Sequence, residues 1–258
     1  METKYKNFDY KESFQRIDDI LDGSDKSFDQ LKAIPSRNNL TYSNGFYVTS
    51  SAIFVTLRDS AALSSRFSLS VLAKIYRCFI SETVAILNSN DKCVDIRITG
   101  DCVSGIYDTP HKTDIDTMFS DAARINSLIK TLSFKLEERG MKKVTIGVGM
   151  DYGRSLMVKV GFSGSGINDV LWIGGVVNRA SQLCRYANKH KGIESTFVSY
   201  KTFINLSDYN KRLLKKHSVH NCYFGDVINV TMDEWNERQS AKNKATRNSK
   251  VAKLKKPR

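Results

Sequence analysis

Nothing in these 258 residues approaches the roughly 18 consecutive apolar positions that a bilayer-spanning helix requires. The opening METKYKNFDYKESF is too charged for a secretory leader, so the expectation is a soluble, cytoplasmic protein. Cysteine is present but unorganised. Cys78, Cys93, Cys102, Cys184 and Cys222 are scattered, odd in number and without a CxxC pair, which points away from a disulfide framework and from a zinc site. Histidine is scarce, and His217 and His220 stand three apart with no cysteine or acidic motif beside them, a poor metal set. No internal repeat is visible.

Acid is also short: 27 Asp and Glu face 40 Lys and Arg, for a net charge of +13. The excess is concentrated, because Glu237 to Arg258 holds nine basic residues and one acidic one. From Asn236 onward large apolar residues are almost absent, so residues 236–258 are expected to form a basic, disordered tail. Such a tail is able to hold nucleic acid by charge alone, but no aromatics are interleaved with its cations, and a solubilising extension is the preferred reading.

What remains is ample for a core, at 41% hydrophobic residues. Residues 1–44 read as a lead-in with one short amphipathic helix in FDYKESFQRIDDIL, and residues 45–235 as the domain. FYVTSSAIFVTL is β-branched and aromatic, a long strand. RFSLSVLAKIYRCFISETVAIL spaces its apolar residues at three and four, a helix with one buried face. VDIRI, the Thr99-Gly100-Asp101 turn and CVSGIYD make a hairpin. DIDTMFSDAARINSLIKTLSFKLEERG is a second helix, ended by Gly140. KVTIGVGMDYG and SLMVKVGF read as a pair of strands, GFSGSGIND as a flexible connection, and VLWIG as a lead into a third helix, GVVNRASQLCRYANKHKG, stopped by Gly192. The order predicts an α+β fold of the ferredoxin-like kind, with helices on one face of a mostly antiparallel sheet.

IFVTLRDSAA on the first strand, IRITGDC in the hairpin, IGVGMDYGR, and WIGGVVNRASQL opening the third helix stand in an order that resembles the class III nucleotidyl cyclase homology domain, over about Gly45 to Gly192. The resemblance implies closure of a nucleoside triphosphate into a cyclic monophosphate, two Mg²⁺ or Mn²⁺ ions per site, and a homodimer whose sites lie at the subunit interface. It places the metals against Thr56, Leu57, Asp59 and Asp101, with Asp101 as the retained carboxylate. Paired metals both acidify the attacking hydroxyl and neutralise the phosphate. Thr56 stands where the family has its first metal aspartate, and Ala61 where a Thr is common. Thr56 offers a neutral oxygen without the charge that binds Mg²⁺ tightly. An impaired family member and a substrate-trapping form therefore both remain open.

The base-reading position is Arg97, three residues before the hairpin glycine, and its counterpart before the third helix is Leu171. A guanidinium offers only donors, and cytosine presents O2 and N3 side by side as acceptors, so CTP is expected ahead of UTP. Pairing of Arg97 with Asp95 is the structural alternative. Leu171 cannot accept from an adenine amine. Arg97 and Leu171 together resemble the bacterial pyrimidine cyclases of Pycsar antiphage defence, which make cyclic CMP or cyclic UMP. Asn178 matches the ribose-positioning asparagine. Gln182 stands where many members have a catalytic Arg, so Arg185, two turns along the same helix face, is the expected catalytic substitute. Phe54 and Arg179 complete the expected substrate-binding set. A nucleotide-binding sensor without turnover is the competing function.

Overall fold

The computed structural model describes residues 5, 7–58, 63, 65, 67–189 and 194–254. Its spine is the antiparallel pairing of β2 (Gly45–Leu57) with β5 (Ile146–Gly161), in register from Gly45↔Val158 to Leu57↔Ile146. On the other side of β2 lies β4 (Cys102–Asp108), and beyond it β3 (Cys93–Thr99). The turn joining these two uses Gly100 at φ 60°, a conformation natural to glycine. β5 carries β6 (Asn168–Ile173) along its outer half and β7 (Thr196–Ser199), in parallel, nearer its start. β9 (Cys222–Gly225) and β8 (Lys215–Lys216) extend the sheet past β7, and β1 (Phe28–Gln30) lies parallel to the start of β2. Among the described residues this makes one mostly antiparallel nine-stranded sheet, the sheet of an α+β fold.

Strand alternation sorts the side chains of β2 between two faces. Ile53, Val55 and Leu57 enter the larger core with α2 (Leu69–Asn88) and α3 (Lys112–Glu137), whose Ile75, Phe79, Ile115, Met118 and Ile125 are buried there. Val48 and Ala52 enter a second core with Val176 and Ala180 of α4 (Gly175–Tyr186). Helices therefore cover both faces, not one. The reason lies in β5, where a Cβ at Gly149 would collide with the backbone of Ala180 and Cys184: α4 rests directly on the strand's main chain.

Three further expectations change. The two strands read in KVTIGVGMDYG and SLMVKVGF are the single strand β5, because β2 pairs with it without interruption and Gly153 sits inside the ladder opposite Ser50. α4 stops at Tyr186, earlier than expected. Ala187 is already extended and Asn188 takes φ 49°, with its side-chain amide donating to the Ile146 carbonyl at 3.1 Å. Gly192, the expected stop, lies outside the described residues, as do Asp59 and Ala61.

Of the segment 236–258 expected to be a disordered tail, the described residues 236–254 are helical, within α7 (Val230–Leu254), and the rest lies outside the described residues. Its Ala, Lys, Arg, Glu and Gln are good helix formers, and its first turns dock on α3. Asn236 accepts from the Thr131 hydroxyl at 2.8 Å, and Lys130 pairs with Asp233 at 2.9 Å. The lead-in contributes α1 (Tyr10–Leu21), and α5 (Tyr200–Asn205) and α6 (Asp208–Arg212) follow β7. No helix among the described residues is long and apolar enough to cross a membrane.

The α4–β5 approach yields a stability prediction. Gly149→Ala should lower the unfolding free energy by roughly 3 kcal/mol, the upper range for overpacking where the obstacle is backbone. Urea denaturation followed by circular dichroism measures it, and a midpoint within error of wild type would show that α4 can move away without loss.

Candidate active site

The cross-strand register sets Arg97 of β3 beside Ser104 of β4, and Ser104 beside Phe54 of β2, so the three side chains form a row on the face that carries α4. Together with Leu171 and Trp172 of β6 and Val177 of α4 they line a cavity of about 70 Å³. The expected base-reading residues Phe54, Arg97 and Leu171 are thus brought together.

Arg97 is held rigidly. Its Nε donates to Asp95 Oδ2 at 3.2 Å and its Nη1 reaches Asp169 Oδ2 at 3.1 Å, while its buried Nη2 has no hydrogen-bond partner among the described residues. Asp95, 4% exposed, also accepts from the Trp172 indole at 2.7 Å and from Arg37 of the lead-in. One buried carboxylate therefore fixes three donors, and its own desolvation is offset by them. The argument for cytosine assumed a guanidinium free to present two donors. With Nε and one Nη1 proton engaged, Nη2 with its two protons is the part of the guanidinium left for a base.

One rung further along the same face of β2, Thr56 pairs with Cys102 across the sheet, and its hydroxyl lies 3.3 Å from the Asp101 carbonyl and 3.4 Å from that of Leu57. Thr56, Leu57 and Asp101 thus gather at one end of the sheet. Among the described residues the Asp101 carboxylate makes no hydrogen bond or ion pair. Its charge reaches Tyr76, whose phenol is pushed up first by burial and then by that carboxylate. Burial pushes the Cys102 thiol up to about 11, so it stays protonated beside these oxygens.

The remaining expected residues lie elsewhere. Asn178 and Arg185 are exposed on the outer side of α4, away from its buried Val176, Ala180 and Leu183. Arg179 projects from a different flank of α4 than Val177. Its Nη1 donates to Gln182 at 2.6 Å and its Nη2 to the Asn221 carbonyl at 3.2 Å, so within one chain it stands apart from Arg97. Sequence reasoning missed Ser104, which strand alternation would have placed on the Phe54 face. It considered Asp95 only as a partner that would idle Arg97. Arg37 and Asp169 gave no signal, because their contacts with the site span long separations.

The fold is shared with solved structures. The adenylyl cyclase CyaB from P. aeruginosa superposes with a TM-score of 0.58 at 19% identity, covering 70% of this chain and 95% of that one. The guanylyl cyclase Cya2 gives 0.57 at 12%, covering 70% and 92%. No protein-family model matches. Two curated relatives are nearer in sequence. The uridylate cyclase of Treponema porcinum is 33% identical over 232 residues, 88% of this chain and 80% of the relative, and that of Gulbenkiania mobilis is 35% identical over 257 residues, 92% and 99% respectively. The chain belongs to the class III nucleotidyl cyclases, in the group related to the Pycsar cyclases.

Asp95 is the residue on which the cavity's geometry turns. Asp95→Ala should lower stability by about 3 kcal/mol, since it strands the Arg97 and Trp172 donors. Chemical denaturation of the variant measures this, and an unchanged midpoint would show that the carboxylate is replaceable by water.

Proposed function

We propose that this protein converts UTP to 3′,5′-cyclic UMP and pyrophosphate. The observation that carries the reading is the cavity over Phe54 and Ser104, with the one unpartnered nitrogen of Arg97 at its wall. The Nη2 amino group is able to donate to a uracil carbonyl, with the Ser104 hydroxyl beside it to accept from the N3 proton. Leu171, 41% exposed at the rim, supplies apolar contact and no acceptor for an adenine amine. Both curated relatives being uridylate cyclases supports UTP ahead of CTP.

At the other end of the site the Thr56 hydroxyl lies against the Leu57 and Asp101 carbonyls, and with the side-chain carboxylate of Asp101 these hard oxygens would hold one Mg²⁺ or Mn²⁺, with phosphate oxygens to complete its shell. Among the described residues no second carboxylate joins them, and Asp59, the other carboxylate expected there, lies outside the described residues. A bound ion supplies charge against the phosphates and acidifies the ribose 3′-hydroxyl. Asn178 and Arg185 then serve ribose and phosphate from the outer side of α4. In the proposed symmetric homodimer that side faces the Thr56–Asp101 end of a second copy. Exposed Leu171 and Ile173 of β6 give such a contact its apolar area. A role in antiviral signalling extends this reading through the Pycsar resemblance.

The test is incubation with each of the four ribonucleoside triphosphates and Mn²⁺, with products resolved by mass spectrometry. Cyclic UMP should dominate; a larger yield of cyclic CMP would overturn the assignment of UTP. Arg97→Ala should lower kcat/KM for UTP by about 10- to 100-fold, the worth of a base contact of roughly 1–3 kcal/mol. Asp101→Ala should abolish turnover, whereas Thr56→Asp should raise it by adding a second metal carboxylate. A folded Thr56→Asp protein that binds UTP and Mn²⁺ yet forms no cyclic product would favour a sensor without turnover.

A further inference from the structure

On the flank of α4 opposite Val177, a second and larger cavity of about 700 Å³ opens, lined by Asp151 and Arg154 of β5, Arg179 of α4, Tyr200 and Lys201 of α5, and His220. Its volume lies in the range of small-molecule sites. The charges in it are unbalanced. Among the described residues, none of Arg154, Arg179 and Lys201 is within ion-pair range of a carboxylate, and Arg154 is held instead over the Tyr47 ring at 4.1 Å. The 12-residue helix α4 begins at this cavity with no capping side chain and no acid in its first turn. A side chain at Gly175 would meet nothing within 4 Å, so the approach to the helix's N-terminal amides is open. Three cations and an uncapped helix N-terminus together make a phosphate-binding environment.

A second, independent feature narrows the ligand. Asp151 is 5% exposed, and its Oδ1 is buried without a hydrogen-bond partner among the described residues. Burial raises its pKa, while a hydrogen bond from Ser199, the Tyr152 amide, and then Lys201 and Arg179 pull the other way. A buried acceptor left unpaired is open to a donor from a bound ligand. The exposed ring of Tyr200 offers a flat surface beside it.

We propose that this cavity is a second ligand site that takes a nucleoside phosphate: phosphate on Arg154, Lys201, Arg179 and the start of α4, and a ribose hydroxyl donated to Asp151. The site does not depend on the assignment of UTP. It connects to the reactive side of α4, because Arg179 also holds Gln182, whose amide donates to the Tyr186 hydroxyl at 3.1 Å. Occupation of the cavity would therefore bear on the helix that presents Asn178 and Arg185, as expected of an effector.

AMP is the suitable probe, since its purine does not suit the small Arg97 cavity. Calorimetric titration of the full chain with AMP should give saturable binding that Lys201→Ala weakens at least about tenfold, the loss of one charge-assisted contact, and that Arg97→Ala leaves unchanged. Asp151→Asn should weaken AMP but tighten inorganic phosphate, because a negative charge and an acceptor disappear together. Circular dichroism confirms that each variant folds. The proposal is overturned by no saturable AMP binding at millimolar concentration, by loss of binding in Arg97→Ala with Lys201→Ala unaffected, or by AMP and phosphate responding alike to Asp151→Asn.

Discussion

The nucleotide side of this molecule is built on a close approach of main chains: α4 lies against β5 at Gly149, where there is no room for a methyl group between strand and helix. Interiors are packed at crystal-like density, so a helix seated on bare backbone has its height and its tilt fixed by the contact. From that seat follow the two cavities on its flanks, the position of Val177 over the Phe54–Ser104–Arg97 row, and the outward direction of Asn178 and Arg185. The sheet is equally constrained beneath, because β2 pairs with β5 along its whole length and with β4 on its other edge.

Electrostatics refine what packing positions. Arg97 is oriented by two carboxylates, and the more buried of them, Asp95, is shared with Trp172 and Arg37. A guanidinium with one nitrogen left over is a more selective reader than a mobile one, since reorienting it would break charge-assisted bonds in a region of low dielectric. The same reasoning distinguishes Arg97 from Arg179. The first is committed to carboxylates and offers one buried amino group. The second is bound only to an amide and a carbonyl, and keeps its full charge for the larger cavity.

Thr56 fits the fold for a local reason. The hydroxyl is small, sits one rung from Phe54 on a strand that is paired on both sides, and lies within reach of the Asp101 and Leu57 carbonyls. A change at position 56 therefore bears on the polar end of the site and not on the pairing of the sheet. This is why a carboxylate there is a chemical question that leaves the architecture untouched.

Much of this was legible in the sequence because it depends on neighbours in the chain. The β-branched and aromatic run FYVTSSAIFVTL gave β2, three-and-four spacing gave α2 and α3, and the Gly100 turn gave the hairpin that carries Arg97 and Asp101; each rests on local backbone geometry and a local pattern. Strand alternation alone sets Phe54 and Thr56 on one face. What the sequence did not disclose depends on distant partners. The union of two expected strands into β5 needed β2 alongside. The helix of α7 needed α3 to dock its first turns, and the pinning of Arg97 needed Asp169 and, through Asp95, Arg37. The placement of α4 on the second face needed the glycines of β5 to meet it. Local pattern fixes which face a side chain takes; only the folded chain decides what stands opposite it, because that contact is made between residues the backbone does not connect.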